Sequence, residues 1–397
     1  MNDIKWQENK MPKTADKNLS IMSIEEVKKA KAFHESFPQY SNTPLAELKE
    51  MSKYLGLGAI KVKDESYRFG LNAFKVLGGS YSMAKYIAQK MGKDVSELPY
   101  DILVSKKLKD EFGQATFFSA TDGNHGRGVA WAANKLGQKC VIFMPKGTTE
   151  IRLNNILKEG ATATIEKYNY DECVRMAADA ASKVKNGVVI QDTAWEGYEE
   201  IPAWIMQGYG TMALESDEQF GEKPTHIFVQ AGVGSLAGAI VGYFSNKYKY
   251  NPPKMIVVEA SAAACLYKGA VAGDGNIRIV DGDLNTIMAG LACGEPNITS
   301  WDILKNHVDC FISAEDIIAA RGMRMLSAPL KGDAQVISGE SGAAPFGALA
   351  TIMLNEEYSE LRKKLDLNSN SKVLLFSTEG DTDPQRWKNI IWEAKNK

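Results

Sequence analysis

The sequence predicts an α/β protein built on two open, twisted, mostly parallel sheets covered by helices. Three observations carry that expectation. Short apolar runs recur from residue 59 to residue 377, and most are separated by helical patterns of roughly ten residues or more, the rhythm of strand–helix–strand units. The runs are continuously apolar, as expected of strands buried on both faces. Small and glycine-rich segments follow several of them, at the strand ends where open parallel sheets hold ligands. A chain of 397 residues suits about two domains. An eight-stranded α/β barrel is the competing architecture, but the helical segments are unevenly spaced for it.

In chain order, residues 1–18 read as a loosely docked arm. A helix is expected from Ser23, as N-cap, to Phe37, with Glu25 and Glu26 in its first turn. Strands are expected at Ile60–Val62, Thr116–Ala120, Cys140–Met144, Thr162–Glu166, Val188–Gln191, His226–Gln230, Met255–Glu259 and Val373–Ser377. The charged stretch Val95–Gly113 reads as an amphipathic helix entering a smaller domain. That domain is placed at 90–195, inserted into a larger one made of 1–89 and 196–397.

Composition excludes several classes. Lys and Arg total 47 against 49 Asp and Glu, a net charge of -2, which leaves no electrostatic footprint for nucleic acid or an anionic membrane. No apolar stretch reaches the ~20 residues of a membrane span. Residues 1–17 lack the apolar core of a secretory signal, so a cytoplasmic protein is expected. The five cysteines are scattered, without metal-ligand spacing, and are expected to be free thiols. Cys265 and Cys293, in one glycine-rich region, are the pair that could bridge. No metal site is expected.

Four loops concentrate chemistry. The first holds Lys75, between Phe74 and Val76-Leu77 at a strand-to-helix junction. Apolar flanks disfavour its ammonium and make it a usable nucleophile or base, although a lysine with a packed stem and a solvated head fits the same residues. The second follows Thr116–Ala120 and reads Thr121-Asp122-Gly123-Asn124-His125-Gly126. Asn124 could hold a ring hydroxyl and Asp122 could serve as a base; an Asp/Asn–Gly turn with a helix cap is the alternative. The third, Gly232-Val233-Gly234-Ser235-Leu236, joins a strand to a helix and exposes backbone N–H groups at a helix N-terminus, a phosphate cradle. It also approaches a dinucleotide fingerprint, with Glu259 where a ribose-binding acid would stand, so a nicotinamide-dependent dehydrogenase competes here. The fourth is the end of the last strand, where Ser377 or Thr378 could meet a heteroaromatic nitrogen. A nicotinamide enzyme has no need of the other three loops, whereas pyridoxal 5'-phosphate uses all four: an imine to lysine, a clamp on the ring, a phosphate nest and a ring-nitrogen partner.

Six dispersed blocks, SYRFGLNAFKVLGGSY (66–81), SATDGNHGRGVAW (119–131), QDTAWEGYEEIP (191–202), TIMAGLACGEPN (286–297), SGESGAAPFGAL (338–349) and STEGDTDP (377–384), resemble the fold-type-II pyridoxal-phosphate enzymes, the tryptophan synthase β and threonine dehydratase superfamily. Within it the chain looks most similar to the diaminopropionate ammonia-lyase family, from about residue 40 onward. The resemblance implies the fold-type-II architecture with the cofactor in the cleft between domains, and a homodimer. It implies a carbon–nitrogen lyase that eliminates across the α,β bond of 2,3-diaminopropionate, D and L, to give pyruvate and ammonia. Lys75 would carry the cofactor and take the α-proton on one face, Asp122 would act on the other, and Asp192 would orient the distal ammonium. Glu340, with Ser341 beside it, would face the ring. Thr121-Asp122 ahead of Gly123-Asn124 departs from the dehydratase pattern, and so does the terminal STEGD turn. A serine/threonine dehydratase is the alternative within the superfamily, and a cofactor-binding sensor without turnover is the alternative outside the enzymes. His125 is read as packing or capping, and His34, His226 and His307 as structural or exposed residues standing alone.

Overall fold

The computed structural model describes residues 3–121 and 123–395. The chain forms two compact units. One comprises residues up to 24, 42–67 and 212 onward; the other comprises 25–41 and 68–211. Residues 25–41 and 68–89 thus group with the smaller unit, which starts earlier and ends later than the 90–195 expected.

The first unit is built on seven strands: β1 (Ile4–Glu8), β2 (Leu45–Glu47), β3 (Ala59–Asp64), β8 (His226–Gln230), β9 (Lys254–Ala260), β10 (Cys310–Ala314) and β11 (Lys372–Ser377). Their order is β1-β10-β9-β8-β11-β3-β2, parallel except at the two edges, where β1 and β2 run antiparallel. All five residues of β8 and all five of β10 are buried, so both faces of the central sheet are covered. Ile60, Val62, Phe228, Ile256, Val258, Ile312, Val373 and Leu375 from its strands join Met323, Phe346 and Leu349 from covering helices in one core.

The second unit carries β4 (Thr116–Ala120), β5 (Lys139–Met144), β6 (Thr162–Ile165) and β7 (Gly187–Val189) in the order β6-β5-β4-β7, all parallel. Phe118 packs with Ala177 and Ala181 beneath it.

Two expectations change. Residues 4–8 are no loose arm: Ile4 is 1% exposed and pairs with Ala314, so the segment closes the β10 edge. The stretch 95–113 is no single helix. It breaks into a 3-10 turn, Val95–Glu97, and short helices at Tyr100–Leu103 and Lys106–Phe112. Pro99 cannot continue the first turn, and Ser105 starts a new helix by accepting from Leu108 N at 3.2 Å.

Candidate active site

Lys75 stands at the N-cap of the helix Val76–Lys90, after a 3-10 segment, Glu65–Gly70, and a short turn rather than directly after a strand. Phe74, Val76 and Leu77 are 5%, 1% and 0% exposed, so the apolar wall expected around the lysine is present. Its Nζ is ion-paired with Asp192, which lies just beyond β7 and is almost fully buried. Burial opposes the charged carboxylate of Asp192. The Lys75 ammonium, His125 and the Lys75 hydrogen bond outweigh burial and hold the carboxyl at about 2.

Neighbouring segments fix this pair. His125 Nε2 donates to Ile190 O at 2.9 Å, which turns Nδ1 toward Asp192 Oδ2 at 4.0 Å. Gln191 ties the Asp192 segment to the end of β4: its amide nitrogen donates to Ala120 O at 3.1 Å, and its oxygen accepts from Ala120 N at 3.1 Å and Ser119 Oγ at 3.0 Å. Thr121 Oγ1 accepts from Gly123 N at 3.0 Å and Gly126 N at 3.1 Å, which sets the turn from which Asn124 opens the helix Asn124–Lys135. Asp122, expected as the second base, lies outside the described residues.

The other groups belong to the first unit. Gly232 to Gly234 leave β8, and Ser235-Leu236 begin the helix Ser235–Lys247. Gly234 has φ +104°, and a Cβ there would lie 2.7 Å from Ser300 Oγ, so the position requires glycine. No side chain caps this helix start, whose N–H groups therefore suit an anion. Asn297 braces the loop, its N donating to Val233 O and its Nδ2 to Ser235 Oγ, both at 2.8 Å. Ser377 and Thr378 end β11 and are buried. Ser377 Oγ donates to Ser338 Oγ at 2.9 Å, while Thr378 Oγ1 donates to Glu379 Oε2 and accepts from Gln230 Nε2, each at 2.7 Å. The terminal loop is thus held by side chains from three directions. Glu340 pairs with Arg386 Nε at 3.0 Å, so its carboxylate already has a cationic partner.

Glu259 settles the dinucleotide alternative. Its carboxyl accepts from Leu266 N at 2.9 Å and Tyr267 N at 2.6 Å, capping the helix Cys265–Ala272, and offers nothing to a ribose. Burial pushes this group up to about 8, against the pull of the two backbone bonds. Cys265 and Cys293 form no disulfide; the Cys265 thiol faces Cys293 O at 3.7 Å. The three other histidines do not stand alone. His34 contacts Thr211 Oγ1 at 2.7 Å and Leu77 O at 3.0 Å, His226 donates to Leu365 O at 2.7 Å, and His307 pairs with Asp16 at 2.6 Å.

Sequence reasoning passed over Gln191, Asn297, Gln230, Glu379 and Arg386. A polar residue ending an apolar run was the available signal for Gln191 and Gln230. Nothing local marks Asn297 or Arg386, whose partners are distant in sequence.

The second unit offers a lysine amine walled by apolar groups, which suits the carbonyl carbon of a pyridoxal phosphate, and the first unit offers an uncapped, glycine-lined helix start, which suits a phosphate. The chain belongs to the pyridoxal-phosphate dependent enzymes, whose family profile it matches over residues 37–379. Within that class its family is that of the diaminopropionate ammonia-lyases. It is 50% identical over 370 residues to the Salmonella typhimurium diaminopropionate ammonia-lyase, covering 92% of this chain and 91% of that one. To the Escherichia coli K12 protein it is 46% identical, over 95% of this chain and 94% of that one. The crystal structure of the E. coli enzyme in complex with D-serine superposes with a TM-score of 0.90 at 43% identity, covering 99% and 98% of the two chains. Threonine deaminase isoform 2 from Solanum lycopersicum shares the fold, at a TM-score of 0.70 and 18% identity over 97% and 96% of the chains.

Proposed function

We propose that the protein eliminates across the α,β bond of 2,3-diaminopropionate, accepting the D and L isomers, and with one water yields pyruvate and two ammonia. The observation that carries the reading is the Lys75–Asp192 pair, an amine at the start of a helix against a carboxylate kept ionised. Relatives of that name at 46–50% identity support the substrate.

Pyridoxal 5'-phosphate, when bound, supplies the electron sink that lets the α-proton leave. The chain's own residues do the rest. Lys75 would hold the cofactor's carbonyl carbon, and its free amine would take the substrate's α-proton from one face. Asp122 removes it from the opposite face, which admits both isomers. The leaving amine departs as an ammonium, and Asp192, a carboxylate that already binds one ammonium, orients it. The backbone of Gly232, Val233, Gly234, Ser235 and Leu236 holds the phosphate. When the cofactor is bound, Asn124 would hold its ring hydroxyl, Ser377 or Thr378 would serve its ring nitrogen, and Glu340 would border the ring. A hydroxyl partner leaves that nitrogen largely unprotonated, which favours elimination over transamination. We place the enzyme in the cytoplasm as a homodimer acting on a small amino acid.

The test is ammonia released per pyruvate formed from D- and L-2,3-diaminopropionate separately, with serine and threonine alongside. Two ammonia per pyruvate, with little product from the hydroxy amino acids, is expected. Turnover of serine or threonine alone moves the protein to the dehydratase reaction.

A further inference from the structure

The strand that leads into Asp192, β7, has three residues and lies at the edge of its sheet. Along a strand, alternate residues turn their N–H and C=O to opposite sides. Asn186 O accepts from Thr116 N at 3.1 Å and Ile190 N donates to Phe118 O at 2.8 Å, so the even-numbered residues serve β4. Val189 and Gln191 therefore turn their backbone groups to the open edge.

The Tyr198 hydroxyl stands at that edge. It donates to Val189 O and accepts from Gln191 N, both at 2.9 Å. In a parallel sheet the C=O and N–H of a single neighbouring residue would make these same two bonds. One phenol thus replaces one residue of an adjoining strand. The chain brings it there by doubling back: Tyr198 N donates to Trp195 O at 2.8 Å, and Gly197 takes the left-handed φ of +86° that the turn requires. The Trp195 ring stacks on Tyr198 with centroids 4.3 Å apart and planes at 21°, and is itself 37% exposed.

On its inner side the same stretch is held by His125 on Ile190 O and by the Gln191 amide on Ala120. Asp192 is the next residue, and its carboxylate meets the Lys75 amine. We propose that Tyr198 is a positioning residue: by closing the open edge ahead of Asp192, it keeps that carboxylate on Lys75. It acts through the backbone of residues 189 and 191. An ammonium held on a carboxylate is a poor nucleophile, so the pair has to open before Lys75 can attack a carbonyl carbon.

The test is the rate at which cofactor-free protein forms its protein-bound visible band after pyridoxal 5'-phosphate is added. Four proteins are compared: wild type, Tyr198→Phe, Asp192→Asn and the double variant. Phenylalanine keeps the stack on Trp195 and removes only the oxygen. Tyr198→Phe should form the band about three- to tenfold faster than wild type, the range expected for losing one hydrogen bond's hold on the carboxylate. With Asp192→Asn, where no ion pair is left to hold, the same change should alter the rate less than about twofold. No acceleration in the wild-type background, or an equal one in both, overturns the proposal, since a purely structural edge cap would act regardless of residue 192. Trp195→Ala, at a partly exposed position, removes the stack and keeps the hydroxyl, and gives a second reading if Tyr198→Phe folds poorly. It too should accelerate band formation only where Asp192 is present, and the same two outcomes count against the proposal. The kinetic arm rests on the proposed function: Tyr198→Phe should lower kcat for diaminopropionate about tenfold, with KM changed less than about threefold, because a misplaced carboxylate fails at the departing ammonium. A rise in KM alone contradicts it. Should wild type fail to turn over diaminopropionate, the elimination reading falls while the band-formation cycle still decides the role of Tyr198.

Discussion

Replacing Lys63 by methionine should be among the most damaging single changes outside the site. Lys63 Nζ has an acceptor for each of its three protons: Thr43 O at 2.8 Å, Glu215 Oε2 at 2.7 Å and Gln219 Oε1 at 2.7 Å. The side chains of Lys63 and Glu215 are both fully buried. Gln219 Nε2 returns a bond to the same Thr43 carbonyl at 3.0 Å, so this buried cation ties β3 to the C-terminal half of the Glu200–Phe220 helix. Methionine fills the volume but removes the cation 2.7 Å from a fully buried carboxylate, a loss of about 3–5 kcal/mol. At about 2–4 °C per kcal/mol for a unit of this size, the melting temperature should fall by roughly 10 °C. Removing the charge on both sides, Lys63→Met with Glu215→Leu, should bring stability back to within about 1–2 kcal/mol of wild type. Thermal melts followed by circular dichroism on all four proteins give the coupling directly. A single variant costing less than about 1 kcal/mol, or a double variant costing the sum of the singles, would refute the reasoning.

Four further outcomes are expected. Lys75→Ala should lose the protein-bound visible band of the cofactor and roughly a thousandfold or more of turnover, measured by absorbance and pyruvate release. Asp122→Asn should abolish turnover of one diaminopropionate isomer far more than the other; equal losses would remove the two-base scheme. Gly234→Ala meets both a φ of +104° and Ser300 Oγ at 2.7 Å, and should weaken pyridoxal phosphate binding about tenfold or more in a fluorescence titration. Glu259, held at about 8 against an ordinary 4.5, favours folding in its neutral form. Its contribution is complete below pH 4.5 and declines as pH rises to about 8, by about 1.4 kcal/mol per unit. Wild type should therefore lose melting temperature between pH 5 and 8 more steeply than Glu259→Gln, which has no proton to give up.

Most interior strands of both sheets were legible because continuous apolar runs have few alternatives to a doubly covered parallel strand, although β10, interior and wholly buried, was passed over. Those that escaped were β2, three residues long, β10, and β1, whose lysine, glutamine and glutamate mask an edge pairing. Edge strands are specified by the partner they meet, and that partner is far away in sequence. Lys75 was legible for the opposite reason, since its apolar wall is made by its own neighbours. Its ion pair with Asp192 was not, because it spans residues 75 to 192 and depends on how β7 ends. Nor was the grouping of residues 68–89 with the smaller unit, which long-range contacts decide.

The pairing of β1 with β10 also sets an order of assembly. Residue 4 leaves the ribosome long before residue 314, the position it pairs with, so for most of synthesis the first strand has no sheet to join. Until then the nascent chain displays an unmatched strand, and after folding that strand becomes the guard on an edge that would otherwise recruit a neighbour. A bulky fusion placed ahead of residue 4 would interfere with a late-closing seam, and the harm would show as aggregation during expression more than as lost activity in the molecules that fold.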